Sequence, residues 1–443
     1  MTAIIFIPGI LGSELLLNGE KVWPPSWSEI ITGYQRIASL MDSNVEAGDP
    51  ISKVFFVKDF YGPLQSDLQK IANSINARFI SFGYDWRKSI TESAHNLGEL
   101  INAQVVAQGE EITLVAHSMG GLVCRYLLES GEFVHQPWFN QIQRLVGLAV
   151  PNLGSPLALV RALGLKGSVS LSGSDIIKIS SDKRYPSLYQ LLPPPNNSIL
   201  WRVKGANIEP LNHFNTSIVK ELGLSEDNMT YTQQTWEKLN FANKPEGVEY
   251  ILLGGTGHCT VTRVEWRSRN NLAIVEDRDV GDGTVLLWSS IQGQYQNAVA
   301  PGSHEDFFRN SPAQELLFNI FGVLKPQRPF SVGEERIPAI DISTQSTTYA
   351  PGDEIDIIAL PLAPATKIEG IALLERQNQN LESSEFEPFG TGVRVLYQGP
   401  EITLMRFKMS APKELGAYRI RFEGSHALSA DRKVGFFVTS NLD

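Results

Sequence analysis

The chain has 443 residues, and its 38 Lys and Arg against 48 Asp and Glu leave a formal net charge of −10. Its apolar fraction of 42% is typical of a folded globular protein, and its length accommodates roughly two or three domains. The acidic balance argues against nucleic-acid binding, because phosphate contacts need clustered Lys and Arg. No transmembrane segment is expected, since prolines and polar residues interrupt the most apolar window, residues 145–165.

The first three quarters of the chain alternate short apolar, β-rich runs with helical patterns. This order predicts a parallel sheet covered by helices, and several runs are apolar throughout, as expected of strands buried on both faces. The predicted strands are Ala3–Ile7, Arg78–Phe82, Ile112–Ala116, Arg144–Val150, Glu249–Leu253 and Gln296–Ala300. The predicted helices are Leu64–Ile75, Gly121–Leu128 and Ala313–Phe321.

Two further segments have a different composition. Residues 157–244 mix Gly and Ser clusters with apolar residues, and because structureless loops of that length are uncommon, they predict an inserted cap or lid with its own helices. Beyond residue 336, short alternating strands separated by turn signals predict a small all-β sandwich of immunoglobulin-like type. We therefore expect an α/β domain at 1–325 with a cap at about 157–244, a linker at 326–336 and a β-sandwich at 337–443.

The cysteines and the N-terminal segment bear on the cellular compartment. Cys124 and Cys259 are too few for a disulfide framework and match no metal-ligand spacing. The segment Thr2–Ile7 lacks the basic residues of a secretory signal and leads into Pro8-Gly9, so it predicts a core strand. A cytoplasmic location with two reduced thiols is expected, and one bridge between them is the alternative.

The segment Ile112-Thr-Leu-Val-Ala-His-Ser-Met-Gly-Gly121 carries the strongest signal for chemistry. An apolar strand leads into Ser118, Ala116 and Gly120 flank it, and a helical stretch follows. This is the context of a nucleophile elbow, with Ala where the first Gly usually stands. The small residues leave room at the tight turn, and the helix N-terminus favours negative charge near Ser118. The sequence therefore predicts Ser118 as a nucleophile.

A serine hydroxyl needs a general base, and the base needs an orienting acid. The usual order of serine, acid and histidine after an elbow favours His304, which precedes the final helix, with His258 as the second choice. For the acid, Asp282 between two glycines is preferred, and Asp279 or Asp277 remain alternatives. These carboxylates do not continue as a calcium loop, so neither a metal nor a cofactor is expected.

Acyl transfer also needs hydrogen-bond donors for the oxyanion of the tetrahedral intermediate. The predicted donors are the backbone N–H groups of Met119, directly after the nucleophile, and of Ile10, in the glycine-containing loop after the first strand. The cluster Tyr84-Asp85-Trp86-Arg87 follows the second strand, at the sheet edge where ligands of α/β proteins bind. It is predicted to bind substrate, and an Asp85–Arg87 pair with Trp86 in the core is the equal alternative.

Four of these motifs occur together in a characteristic order. The loop Ile7–Leu15, the tetrad Tyr84–Arg87, the elbow His117–Gly120 and the turn Gly281–Val285 resemble the lecithin:cholesterol acyltransferase family, which includes lysosomal phospholipase A2. The resemblance covers roughly residues 4–321. It implies an α/β-hydrolase in which Ser118, Asp282 and His304 form a triad, Ile10 and Met119 are the oxyanion donors, and a cap covers an acyl-chain site.

The chain departs from that family in two respects. Secreted members carry a disulfide-closed lid near the N-terminus, whereas this chain has no cysteine before Cys124. The C-terminal sandwich is not part of the animal members. Substrate and compartment therefore do not follow from the resemblance alone.

The expected function is that of a serine lipase, phospholipase or O-acyltransferase acting on lipid acyl esters through an acyl-serine. Apolar cap residues favour apolar chains, namely Leu188, Leu191, Trp201 and Phe214. The alternatives are an esterase for a non-lipid ester and a non-catalytic hydrolase-fold protein that serves binding. The sandwich is expected either to dock a partner or a membrane surface, or to stabilise the hydrolase domain.

Overall fold

A computed structural model describes residues 2–54, 58–105, 109–268, 271–326, 340–377, 385–424 and 433–440. Apart from Pro326, the predicted linker at 326–336 lies outside these residues, as do the first three residues of the predicted sandwich. None of the helices in the described ranges is long and apolar enough to cross a membrane.

The elements that precede the elbow build one half of the α/β domain. In chain order they are β1 (Thr2–Ile7), β2 (Ser13–Leu17), β3 (Glu20–Trp23), α1 (Trp27–Thr32), α2 (Ile37–Leu40), β4 (Glu46–Pro50), β5 (Lys53–Val54), β6 (Lys58–Asp59), α3 (Gly62–Ser74), β7 (Arg78–Ser81), α4 (Ile90–Gln104) and β8 (Glu111–His117).

The elements that follow the elbow complete the α/β domain. They are α5 (Met119–Glu129), β9 (Ile142–Leu148), α6 (Pro156–Ala162), α7 (Gly173–Ser181), α8 (Ser187–Gln190), β10 (Leu200–Lys204), β11 (Asn207–Leu211), α9 (Thr216–Leu222), α10 (Glu226–Lys238), β12 (Glu249–Thr256), β13 (His258–Ser268), β14 (Asn271–Gly281), α11 (Leu287–Ser290), β15 (Gln296–Pro301) and α12 (Ser311–Ile320). Short 3-10 helices occupy Phe139–Gln141, Phe241–Asn243 and Phe307–Arg309.

The centre of this domain is a parallel six-stranded sheet in the order β15-β12-β9-β8-β1-β7. Its strands are the six that the apolar runs predict. Side chains of β1 alternate between two cores, with Ala3, Ile5 and Ile7 on one face and Ile4 and Phe6 on the other. Burial on both faces explains why the strand sequence is apolar throughout. The fold is that of an α/β-hydrolase.

A second sheet lies beside the central one, in the order β11-β10-β13-β14. In this sheet the β10–β11 hairpin pairs with the long β13–β14 hairpin through β10 and β13. The sequence analysis did not predict the β13–β14 hairpin. Asp277 and Asp279 lie on β14 and not in a turn, and the side chains of residues 276–279 are exposed. A strand with polar side chains on both faces lacks the alternation that marks a half-buried strand, so its pattern resembles a loop.

The C-terminal residues form a β-sandwich of two sheets. Its strands are β16 (Ile340–Thr344), β17 (Thr348–Tyr349), β18 (Glu354–Pro361), β19 (Ala365–Gln377), β20 (Phe386–Pro388), β21 (Val393–Ile402), β22 (Met405–Ser410), β23 (Gly416–Gly424) and β24 (Val434–Val438). One sheet has the order β16-β18-β22, and the other β17-β24-β23-β19-β20, with β21 also paired to β19. Apolar residues of both sheets meet in one core, which explains the alternating pattern of the sequence.

The sandwich packs against the α/β domain through an apolar contact and several polar ones. Phe437 lies in a cluster with Ile30 and Ala417, and its ring meets that of Trp27 edge-on at 6.1 Å. The backbone N–H of Ser311 donates to Oδ2 of Asp341 over 2.9 Å. Arg406 on β22 pairs with Asp279 on β14. These contacts hold the sandwich beside the loops at the carboxyl edge of the central sheet.

Candidate active site

The predicted nucleophile lies at a strained turn between β8 and α5. Ser118 has φ 52° and ψ −127°, a conformation that non-glycine residues rarely adopt. Its N–H donates to the carbonyl oxygen of Leu148 over 2.9 Å, which ties the turn to β9. Gly120 is required beside it, because a Cβ there would lie 2.4 Å from the carbonyl oxygen of Pro8. The small residues of the motif thus allow the helix to begin directly against the end of β1.

Ser118, His304 and Asp282 form a continuous hydrogen-bonded chain. Oγ of Ser118 lies 2.9 Å from Nε2 of His304, and Nδ1 of His304 lies 2.8 Å from Oδ2 of Asp282. All three side chains are buried, with relative exposures of 5%, 8% and 1%. Burial strengthens these hydrogen bonds and restricts the access of water to the serine.

The turn that carries Asp282 fixes the orientation of its carboxylate. Oδ1 accepts hydrogen bonds from the N–H groups of Thr284 and Val285, at 3.0 and 2.7 Å. The N–H of His304 donates to the carbonyl oxygen of Asp282 over 2.8 Å, so the acid and the histidine are also joined through the main chain. Oδ2 is thereby left to face the imidazole.

The alternative residues from the sequence lie elsewhere. Asp277 accepts a hydrogen bond from Thr262 over 3.0 Å, and Asp279 pairs with Arg406. His258 is buried at the start of β13, and burial lowers its pKa to about 4. None of the three side chains bonds to Ser118 within the described residues.

The two predicted oxyanion donors flank the serine. Met119 follows Ser118 at the first turn of α5, and Ile10 lies in the loop after β1. This loop approaches closely, since a Cβ on Gly9 would lie 2.8 Å from Cβ of Ser118. Among the described residues the N–H groups of Ile10 and Met119 donate to no acceptor, so both stay available to a ligand.

A buried Tyr61–His117 pair, which the sequence did not reveal, connects these parts. The Tyr61 hydroxyl accepts from the N–H of Gly9 over 2.9 Å and lies 2.7 Å from Nδ1 of His117. Nε2 of His117 lies 3.0 Å from the carbonyl oxygen of His304, so Nε2 carries the proton and Nδ1 accepts from Tyr61. Burial, aided by His304, holds the pKa of His117 well below its usual value, so the ring is neutral. The pair thus links the loop after β1 to His304 through hydrogen bonds.

A cavity of about 100 Å³ opens at Ser118 and His304. Its apolar lining includes the following residues: Ile10, Leu11, Leu157, Val169, Leu188 and Leu191. Two of the four apolar cap residues that the sequence singled out, Leu188 and Leu191, are in this lining, whereas Trp201 and Phe214 are not. The sandwich contributes Thr347 and Phe437, so both domains form the wall of the cavity.

Comparison with known proteins identifies the family. The family model described as lecithin:cholesterol acyltransferase matches residues 52–273, just over half of the 443 residues. The chain belongs to the lecithin:cholesterol acyltransferase family. A lysosomal phospholipase A and acyltransferase from Bos taurus is 28% identical over 268 residues, covering 53% of this chain and 61% of that protein.

A plant protein and a solved structure are also similar to this family member. Phospholipase A(1) LCAT3 from Arabidopsis thaliana is 24% identical over 298 residues, 55% of this chain and 65% of its own length. The chain thus spans about three fifths of the curated relatives that it matches. Among solved structures, the Tle4–Tli4 complex contains a chain with a TM-score of 0.54 at 14% identity, covering 72% of this chain and 98% of its own. That likeness concerns the fold.

In this family member the tetrad Tyr84–Arg87 is buried, and none of its residues lines the cavity that opens at Ser118. Arg87 is fully buried and makes a two-point ion pair with Asp85, at 2.8 and 2.6 Å. The Tyr84 hydroxyl donates to the carbonyl oxygen of Pro8 over 2.9 Å. Trp86 lines a small neighbouring cavity of about 50 Å³. The arrangement of Asp85 and Arg87 is the ion pair that the sequence left as the alternative to substrate binding.

The two cysteines of this family member are free thiols. Cys124 is buried within α5, and burial raises the pKa of its thiol, so it acts as a small apolar side chain. Cys259 is partly buried on β13. Their state agrees with the expectation of two reduced thiols and not with the alternative of a bridge.

Proposed function

We propose that this protein is a serine acyl-ester hydrolase or O-acyltransferase that acts on lipid acyl esters through an acyl-Ser118 intermediate. The observation that carries the proposal is the buried Ser118–His304–Asp282 chain, which opens into a cavity with an apolar lining. Family membership and the phospholipase names of the matched relatives support the same activity.

In the first half-reaction, Oγ of Ser118 attacks the ester carbonyl carbon while Nε2 of His304 takes the hydroxyl proton. Asp282 orients the imidazole and stabilises its positive charge. The N–H groups of Ile10 and Met119 donate to the oxyanion. The intermediate then collapses, the C–O bond to the alcohol breaks, and His304 returns the proton to the leaving alcohol.

In the second half-reaction, water or an acceptor alcohol attacks the acyl-serine while His304 takes its proton. The tetrahedral intermediate expels Ser118, which regains its proton from His304. Water yields a free fatty acid and an alcohol yields a new ester, so the hydrolase and the transferase share one mechanism.

The decisive experiment measures covalent labelling and products together. A fluorophosphonate probe is expected to label the wild-type protein and the control Ser130→Ala, but not Ser118→Ala. Incubation with phospholipids, acylglycerols and short esters, with and without an alcohol, then identifies substrate and acceptor. No labelling of the folded wild type would support the non-catalytic alternative, and turnover of only short soluble esters would support the non-lipid esterase.

Two further expectations from the sequence stay proposals. A cytoplasmic location is one of them. The other is docking of a membrane surface or a partner through the sandwich, for which the exposed Leu396 and Ile371 on the adjacent strands β21 and β19 offer a small apolar patch.

A further inference from the structure

Arg161 on α6 lies where three cavities meet. One is the apolar cavity at Ser118, and another is the small cavity beside Trp86. The third, of about 390 Å³, is a polar cleft between the α/β domain and the sandwich, with Asp282 and His304 on one side and residues 345–349 on the other. Arg161 lines all three, so its side chain borders the space next to the nucleophile.

The guanidinium of Arg161 has no partner within the described residues. Its Nε is buried without a hydrogen bond, and no carboxylate there comes within ion-pair distance. Burial lowers its pKa, and the charge of Glu305 only partly opposes this. A donor nitrogen that is buried without an acceptor is costly, because it has lost its hydrogen bonds to water and gained none in return.

The other charged side chains that line the polar cleft already have partners. Glu276 pairs with Lys166 at 3.4 Å, and Glu354 pairs with Lys408 at 2.5 Å. Asp353 accepts a hydrogen bond from the N–H of Ala350 over 2.8 Å. Glu305 also lines the cleft, and its charge acts on Arg161. Along the described part of the cleft, the buried side-chain donor without a partner is Nε of Arg161, and a positively charged donor favours an anionic ligand.

We propose that Arg161 binds the phosphodiester group of a phospholipid whose acyl ester lies at Ser118. This inference rests on the proposed function and specifies its substrate class. In a glycerophospholipid the phosphate is a few bonds from the acyl ester, which matches an arginine at the border of the nucleophile's cavity. The acyl chain occupies the apolar cavity and the head group occupies the polar cleft. A planar guanidinium suits this anion because it donates two parallel hydrogen bonds to phosphate oxygens.

The test compares two soluble substrates that differ only in the head group, dihexanoylphosphatidylcholine and dihexanoylglycerol. Arg161→Gln is expected to lower kcat/KM for the phospholipid by about 10- to 100-fold, the range for a lost charged hydrogen bond. For dihexanoylglycerol the change is expected to stay within about twofold. Arg161→Lys keeps the positive charge but not the two parallel donors of the guanidinium. Its kcat/KM for the phospholipid is expected to lie between those of the wild type and Arg161→Gln. Arg267→Gln, which replaces an exposed arginine of β13 that pairs with Glu265, is the matched control and is expected to alter neither rate.

The outcomes separate this inference from the proposed function. If the wild type turns over neither ester, the proposed function fails. If it turns over both and Arg161→Gln lowers the two rates equally or not at all, the inference is overturned and the enzyme assignment stands. Inorganic phosphate distinguishes the sources of the anion. Phosphate could raise the Tm of the wild type and not that of Arg161→Gln, while the ratio of kcat/KM for the phospholipid to kcat/KM for dihexanoylglycerol is the same in both proteins. That result would indicate a site for free phosphate and overturn the lipid assignment.

Thermal unfolding shows whether Arg161 serves the fold instead. Because Nε of Arg161 is buried without a hydrogen bond, Arg161→Gln is expected to leave Tm unchanged or to raise it. A lower Tm together with equal losses on both substrates would show that Arg161 only supports the fold, against the proposal.

Discussion

Replacement of Asp282 by Asn gives the sharpest test of the triad. Oδ1 of Asp282 accepts from two N–H groups of its own turn, and Oδ2 faces Nδ1 of His304 at 2.8 Å. In Asp282→Asn the amide oxygen must stay with the two N–H donors, because an NH₂ group there would oppose them. The NH₂ group then faces Nδ1, which must accept, and the proton moves to Nε2, opposite Ser118.

An imidazole with its proton on Nε2 cannot accept the proton of Ser118. We therefore expect kcat to fall about 10⁴-fold, which corresponds to about 5 kcal/mol of activation free energy. The fold is expected to persist, since Asn has nearly the same shape and keeps the bonds of the turn. Initial rates on dihexanoylglycerol measure the loss, and Tm checks the fold.

Asp279→Asn is the matched control, because Asp279 is an exposed carboxylate on the neighbouring strand that pairs with Arg406. Its rate is expected to remain within about twofold of the wild type. If Asp282→Asn keeps more than a tenth of the wild-type kcat, Asp282 is not the orienting acid. The same conclusion follows if Asp279→Asn lowers kcat more than Asp282→Asn does.

Three other predictions concern the elbow, the cap and the sandwich. Gly120→Ala places a Cβ 2.4 Å from the carbonyl oxygen of Pro8, so we expect urea denaturation to show a free energy of unfolding lower by about 1–3 kcal/mol. Gly247→Ala is the control and should leave this free energy unchanged, because a Cβ there would meet no atom within 4 Å. His213 is buried and its pKa lies at about 4, below the unfolded value of about 6.5, so the unfolded state binds more protons in between. The free energy of unfolding should therefore fall as the pH drops from about 7 to about 5. His213→Gln should make that fall smaller by about 2 kcal/mol, whereas the control His135→Gln, at an exposed position, should leave it unchanged. Thr347→Phe narrows the cavity from the sandwich side, so kcat/KM should fall for long-chain esters and not for p-nitrophenyl acetate. If Thr347→Phe changes kcat/KM by the same factor for esters of every chain length, the sandwich does not form part of the acyl site.

Much of the fold could be predicted from the sequence, because its signals are local. The apolar runs of the central sheet, the small residues around Ser118 and the alternating strands of the sandwich all express short-range periodicity or turn chemistry. The β13–β14 hairpin was missed because its exposed polar strand lacks such a period. For the candidate site, the order of motifs along the chain was sufficient to propose Ser118, Asp282 and His304.

The sequence by itself thus determined the strands of the central sheet, the all-β character of the C-terminal part and a short set of candidate residues. The tertiary structure decided which of them meet: Ser118 bonds to a histidine 186 positions later, and the Asp85–Arg87 pair is buried beside the cavity. It alone brought Arg161 and the sandwich residues Thr347 and Phe437 to the nucleophile. The reason is physical. Such contacts depend on strand order and on how the two domains pack, and neither leaves a periodic signal in the sequence around these residues.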